Sequence, residues 1–290
     1  MANCIRCGRQ LPGFSFGKKI CQWCAHHEAV QRGEVAEDAR QPVMPTPWVR
    51  HDASSIGVTQ IIFGINVAVF LGMALATSSP MDFHGQDLVQ WGANFGPYTL
   101  SGEWWRLLTS VFVHGGIIHI AFNMWCLWNL GALCESLYGR RTYAAIYLIC
   151  GVGASLGSVA WNAHVLSVGA SGAIFGLAGA LIAAFKLGEF SVPRAALSGT
   201  LRSLGAFVFY NLILGAAMPG IDMAAHVGGL VTGLALGAAI AVLAPHSDQA
   251  TRRAVIFLVM ILVLAAGAKE LAHYHDVPFR LGSSPFHSSR

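Results

Sequence analysis

Seven apolar runs, each near the length needed to cross a bilayer, limit what this chain can fold into. They cover roughly 58–76, 117–137, 142–161, 170–187, 203–218, 224–243 and 254–270, against a requirement of about 17–25 mostly apolar residues per span. The fifth and seventh runs are the shortest. Arg202, Arg253 and Lys269 at their ends extend them if their stems lie along the apolar surface and their charges reach the interface. Only 11% of the residues are charged and 54% are hydrophobic, whereas soluble domains carry about 25% charged residues. The sequence therefore predicts an all-α, multi-pass membrane protein embedded in a lipid bilayer. A net charge of +4 calls for no nucleic-acid partner.

Orientation follows from Lys and Arg. The opening MANCIRCGRQ is polar and lacks the apolar core of a cleaved leader, so the N-terminus is expected to stay in the cytoplasm. With seven spans, 14 basic residues then fall inside and four (Arg106, Lys269, Arg280, Arg290) outside. Leaving out the five within residues 1–32, too distant to count, nine still face four. The positive-inside rule thus predicts a cytoplasmic N-terminus and an extracytoplasmic C-terminus. Residues 77–116 are too long for a turn and too broken for a span. Their aromatics (Phe83, Trp91, Phe95, Tyr98, Trp104, Trp105) suit an amphipathic hairpin in the outer interface.

In this orientation the second, fourth and sixth spans all begin on the outer side. His119 and Asn123 lie in the first turns of the second, four residues apart and so on one face. Ser171 opens the fourth within Gly169-Ala170-Ser171-Gly172, and His226 opens the sixth. At a rise of about 1.5 Å per residue all four side chains fall in the outer third of the membrane. Small residues in a span serve packing more often than chemistry, and His119 and Asn123 alone could simply bond the long outer loop. A hydroxyl, an imidazole and two further donors at one depth point instead to hydrolysis inside the bilayer. The glycines support that reading. Gly229, Gly233 and Gly237 recur every fourth residue, as do Gly172, Gly176 and Ala180, so the two helices can cross in near backbone contact and set Ser171 beside His226.

A serine hydroxyl becomes an effective nucleophile only when a base takes its proton, and His226 is the candidate base. No buried carboxylate is expected to orient it: Asp222 reads as the N-cap of the sixth span, and Glu135 lies near the inner end of the second. The expected site is therefore a Ser171–His226 dyad. Phe175, four residues beyond Ser171, is expected to stack on the imidazole. Backbone N–H groups at the start of the fourth helix, together with His119 and Asn123, are the candidate donors to an oxyanion.

At these residues the chain resembles the rhomboid intramembrane serine proteases. The matching signatures are Glu103-Trp104-Trp105-Arg106, His114, His119-x-x-x-Asn123, Gly169-Ala170-Ser171-Gly172 and Ala225-His226-x-x-Gly229-x-x-x-Gly233, spread over residues 58–243. The resemblance implies a serine endopeptidase that cleaves single-span membrane proteins near the extracytoplasmic face through an acyl-enzyme. It implies Ser171 as nucleophile, His226 as base, and His119, Asn123 and the Ser171 amide as oxyanion hole. Trp105-Arg106 would be a loop anchor. No catalytic cofactor is expected, and a bacterial inner membrane is the expected location. A seventh span after the six-helix core is a variant arrangement. Relatives that lost catalysis lack the Ser or the His, and this chain keeps both. The alternative is a catalytically silent, chaperone-like binder of membrane proteins, with a channel or transporter a more distant one.

Cys4-x-x-Cys7 and Cys21-x-x-Cys24 form a separate polar module, with 13 residues between the pairs. Four thiolates in two such pairs suit a tetrahedral structural zinc site. His26 or His27 could replace one ligand. Reducing cytoplasm favours metal over disulfide. The module could bind a cytoplasmic protein partner or serve as a folded cap. Cys126, Cys134 and Cys150 read as small buried hydrophobes.

The expected organisation is a zinc-ribbon-like module (1–27), a flexible linker (28–55), a six-helix rhomboid-type core (56–245), a seventh transmembrane helix (246–272) and a disordered tail (273–290). Substrates are expected to carry Gly, Ala or Pro near the outer end of their span, because an intact helix shields its carbonyls.

Overall fold

The computed structural model describes residues 4–7, 20–33, 56–77, 79–188, 194–218 and 220–243, and positions 254, 256–263, 265, 267 and 269. The expected linker beyond residue 33 and the expected tail beyond 272 lie outside these residues. A short helix, α1 (Gln22–Gln31), belongs to the N-terminal module. It runs past residue 27, where the linker was expected to begin, and Glu28 on it pairs with Arg6 at 3.0 Å. The rest of the described chain begins with α2 (Val58–Thr77), followed by α3 (Gly85–Gln90), β1 (Asn94–Phe95), α4 (Gly96–Leu100) and α5 (Arg106–Thr109). Then come α6 (Ile117–Tyr138), α7 (Arg140–Trp161), β2 (Leu166–Ser167), α8 (Ser171–Leu187), α9 (Arg194–Ala217) and α10 (Met223–Leu243).

Five of these helices are long and apolar enough to cross a membrane: α2, α6, α7, α9 over Ser198–Ala217, and α10. At 17 residues α8 is shorter. Thirteen of its residues are buried, which makes it the central strut rather than a lipid-facing wall. The described positions between 254 and 269 are helical, and Ile256, Val259, Met260 and Val263 pack on the core. A Cβ placed on Gly267 would lie 2.9 Å from Leu156 Cδ2, so this segment leans against α7.

Close approach dominates the packing of α7, α8 and α10. A Cβ on Gly229 would fall on the carbonyl oxygen of Gly172, and one on Gly233 on that of Gly176. One at Gly237 would sit 2.6 Å from Ala180 O. Backbones this near gain many dispersion contacts that larger side chains would prevent. The other face of α10 meets α7, where Gly228 lies against Gly153 and Gly157.

The segment before α6 is not a simple hairpin. It forms a lobe of three short helices, a 3-10 turn (Ser110–Phe112), and one strand that pairs antiparallel with β2, Asn94 opposite Ser167 and Phe95 opposite Leu166. Its centre is Arg106, only 6% exposed. The guanidinium donates to Glu103 Oε2 at 2.7 Å, Val89 O at 2.6 Å and Ala93 O at 3.1 Å, and stacks over Trp105 at 4.5 Å. One planar cation thus gathers α3, β1 and α5, which suits a fork of fixed donors better than any apolar side chain would. Asn94 Nδ2 donates to Ser155 O at 3.0 Å and so ties the lobe to α7.

At the opposite end of α6, Glu135 accepts the N–H groups of Val58 (2.8 Å) and Thr59 (2.9 Å) and the Thr59 hydroxyl (2.7 Å). A buried carboxylate from one helix therefore caps another, satisfying donors that α2 cannot pair internally.

Candidate active site

Ser171 is the first residue of α8, and the turn that delivers it is set by Gly169. This glycine has φ 113°, and its N–H donates to Ser110 O at 2.9 Å. A side chain here would be strained in backbone and would collide with His119, since a Cβ would lie 2.7 Å from His119 Nε2. His226, on the first turns of α10, is brought to the same end of the bundle by the glycine contacts below it. The Ser171 Oγ and His226 Nε2 are 2.9 Å apart. Phe175, one turn along α8, stacks on the imidazole with centroids 4.4 Å apart and planes at 16°. These two contacts fix both the reach and the plane of the ring.

His119 and Asn123 stand across from Gly169. His119 Nδ1 accepts the Gly115 N–H at 3.3 Å, so a neutral ring carries its hydrogen on Nε2, the nitrogen beside Gly169. Asn123 Nδ2 donates one hydrogen to His119 O at 2.9 Å, and a Cβ at Gly169 would lie 3.9 Å from that nitrogen. The second amide hydrogen is left for another acceptor. His114 is fully buried, donates from Nδ1 to Phe112 O at 3.3 Å, and meets His119 edge-on at 5.2 Å. Burial, with the neighbouring His119, pushes its imidazole down to about 3, so it stays neutral and acts as a wedge under His119.

Asp222 caps α10, with Oδ1 accepting the Ala225 N–H at 3.0 Å. No hydrogen bond joins it to His226 side chain to side chain among the described residues. Glu135 sits at the far end of α6, away from this chemistry. The sequence did not signal Asn94, Ser110 or Ser155, which brace the lobe beside the site; Ser110 and Ser155 hydroxyls are 3.2 Å apart.

A hydroxyl at hydrogen-bond distance from an imidazole, at the N-terminus of a buried helix with further donors across a glycine turn, is an arrangement suited to acyl transfer.

In the N-terminal module the sulfurs of Cys4, Cys7, Cys21 and Cys24 all lie within 4.8 Å of one another. Cys4 and Cys24 are 3.9 Å apart, Cys7 and Cys21 3.6 Å. The backbone N–H of Cys21, at 3.2 Å, holds the Cys4 thiol down to about 6, whereas burial pushes the Cys24 thiol up to about 12. His27 faces Gln31 at 3.2 Å rather than joining the thiols. The fully buried Cys134 and Cys150 lie in the helical core.

A family model, the Rhomboid domain, matches residues 101–243. The chain is 32% identical over 219 residues to the rhomboid protease AarA of Providencia stuartii, covering 68% of this chain and 76% of that protein. It is 36% identical over 189 residues to the rhomboid protease GluP of Bacillus subtilis (strain 168), covering 63% of this chain and 34% of that one. Over 179 residues it is 32% identical to RHOMBOID-like protein 4 of Arabidopsis thaliana, covering 57% of this chain and 44% of that one.

Proposed function

The chain belongs to the rhomboid family and is an intramembrane serine protease, and from that premise we propose that Ser171 is its nucleophile and His226 its general base. The observation that carries this reading is the 2.9 Å approach of Ser171 Oγ to His226 Nε2, clamped by Phe175. As Oγ attacks the scissile carbonyl, its proton passes to Nε2. His226 then returns that proton to the departing amine, leaving Ser171 acylated, and water hydrolyses the ester by the same exchange. The developing oxyanion is met by the Ser171 N–H, unpaired within its helix and at the positive end of the dipole, and by His119 Nε2–H and the free Asn123 amide hydrogen.

The substrate class is single-span membrane proteins, cut near the extracytoplasmic face. Basic residues set that orientation, with the N-terminus in the cytoplasm and the C-terminus outside. A tagged single-span reporter tests the assignment: wild type cuts it, and Ser171→Ala and His226→Ala do not. Cutting by Ser171→Ala would refute it.

Organisation is assigned as an N-terminal module that runs through the end of α1 at Gln31 rather than stopping at 27, a linker from there to 55, a catalytic core at 56–245, a seventh helix at 246–272 and a tail at 273–290. For the module, the four thiolates suit a structural zinc ion. With Zn–S bonds of about 2.3 Å, sulfurs in a regular tetrahedron stand about 3.8 Å apart, which the 3.6 and 3.9 Å pairs bracket. Bound zinc would tie the N-terminal turn to α1 and take no part in hydrolysis. Metal analysis of the purified full chain should find one zinc per protein, lost in Cys4→Ser/Cys24→Ser. A metal-free wild type sinks the assignment.

A further inference from the structure

Asp222 and His226 stand one turn apart at the start of α10, and each has a buried polar atom without a hydrogen-bond partner among the described residues: Oδ2 of Asp222 and Nδ1 of His226. The remaining side-chain polar atom of each is accounted for. Asp222 Oδ1 takes the Ala225 N–H at 3.0 Å, and its carbonyl takes the His226 N–H at 3.3 Å. His226 Nε2 faces Ser171 Oγ. The two leftover atoms are complementary. When Nε2 accepts the hydroxyl hydrogen, Nδ1 is the donor, and an ionised carboxylate oxygen only accepts. Buried polar atoms without partners cost stability and call for a reason.

We infer that Asp222 is a positioning residue for His226: beyond capping α10, its carboxylate charge favours the Nδ1–H tautomer and stabilises the imidazolium formed when Ser171 gives up its proton. The inference rests on reading Ser171 and His226 as nucleophile and base. It adds a third group to the dyad, acting through its field rather than through a direct hydrogen bond.

Among the described residues, little else that is charged surrounds His226. From α8 come Ser171 and Phe175, from α9 the backbone near Gly215, and from α7 the small residues Gly153 and Gly157 that meet Gly228. Among the described residues, the titratable groups that act on it are the Asp222 carboxylate and His119 on α6. Residues four apart on a helix have Cβ atoms about 5–6 Å apart. A unit charge at about 6 Å, in an effective dielectric of about 20–40, moves a titration by about one to two pH units.

The test is the pH profile of kcat/KM for reporter cleavage by wild type, Asp222→Asn, Asp222→Ser and Asp222→Glu, each with its melting temperature. Asn and Ser keep a capping acceptor and remove the charge; Glu keeps the charge with a poorer cap. With the negative charge gone the imidazolium is less favoured. The acidic limb of the Asn and Ser variants should therefore move to lower pH by about one unit. Their plateau should fall several-fold in kcat with KM unchanged. The Glu variant should keep the wild-type limb while melting earlier. If the Asn and Ser limbs coincide with wild type, Asp222 is a cap alone and the inference is overturned. Should Asn fail to fold, Ser decides. Ser171→Ala assayed in parallel separates the two claims, because its cleavage would refute the parent reading whatever the Asp222 variants do.

Discussion

Replacing Gly229 with Ala should inactivate the protease while leaving it folded. The new methyl would land on the carbonyl oxygen of Gly172, the residue directly after Ser171. An ordinary contact requires the two backbones to part by roughly 1 Å, and repacking of that size costs about 1–3 kcal/mol. The bundle can absorb this, since α8 and α10 remain in contact through Gly233 and Gly237. The 2.9 Å link between Ser171 and His226 cannot. A displacement of about 1 Å in a reacting pair costs on the order of a hundredfold in rate. Reporter cleavage should therefore drop about a hundredfold, while the detergent-solubilised variant still melts cooperatively a few degrees below wild type. Gly237→Ala makes a similar clash two turns further from the site and should lose less activity for a comparable loss of stability. Gly64→Ala, with nothing within 4 Å of the new methyl, is the neutral control. Full activity in Gly229→Ala would show that backbone contact between α8 and α10 does not set the catalytic geometry.

Other perturbations separate site from scaffold. Phe175→Ala removes the ring stacked on His226. Its kcat should fall about three- to tenfold, the worth of an aromatic pair, and Phe175→Tyr should stay near wild type; equal rates for all three would dismiss the stacking role. Glu135→Ala strands the N–H groups of Val58 and Thr59 in a buried setting. It should destabilise the fold by about 2–3 kcal/mol, read as a lower melting temperature with Ser171 still reactive. Reporters with Gly, Ala or Pro near the outer end of their span should be cut faster than those with Leu there, because a helix must open to expose its carbonyl. Indifference to these residues would refute that preference.

Apolar run length was enough to place most of the long helices: five of the expected spans coincide with α2, α6, α7, α8 and α10 to within a few residues, whereas α9 departs from its run and the seventh run is described only in part. Helix α9 begins at Arg194, nine residues before its apolar run, because Arg194, Ser198, Gly199, Thr200 and Arg202 interrupt the apolar residues of its first turns and mask their hydropathy signal. Glycine spacing foretold the α8–α10 contact, since fourfold periodicity is local and reads directly onto one helix face. The lobe before α6 was not legible. Helices of four to six residues and two-residue strands show too little periodicity to register. Long-range polar partners were equally hidden. Glu135 caps α2 across 76 residues, and Asn94 reaches Ser155 across 61. Nothing local in either residue names its partner. The Ser171–His226 pairing was legible because two helix starts at one depth, joined by glycine faces, leave little choice of neighbour.

Phosphonylation by a fluorophosphonate, with the adduct located by mass spectrometry, tests most directly whether Ser171 is activated by His226. The adduct should appear on Ser171 alone in wild type and be lost in a folded His226→Ala variant. An adduct elsewhere, or one forming on Ser171 just as fast without the imidazole, would contradict the account.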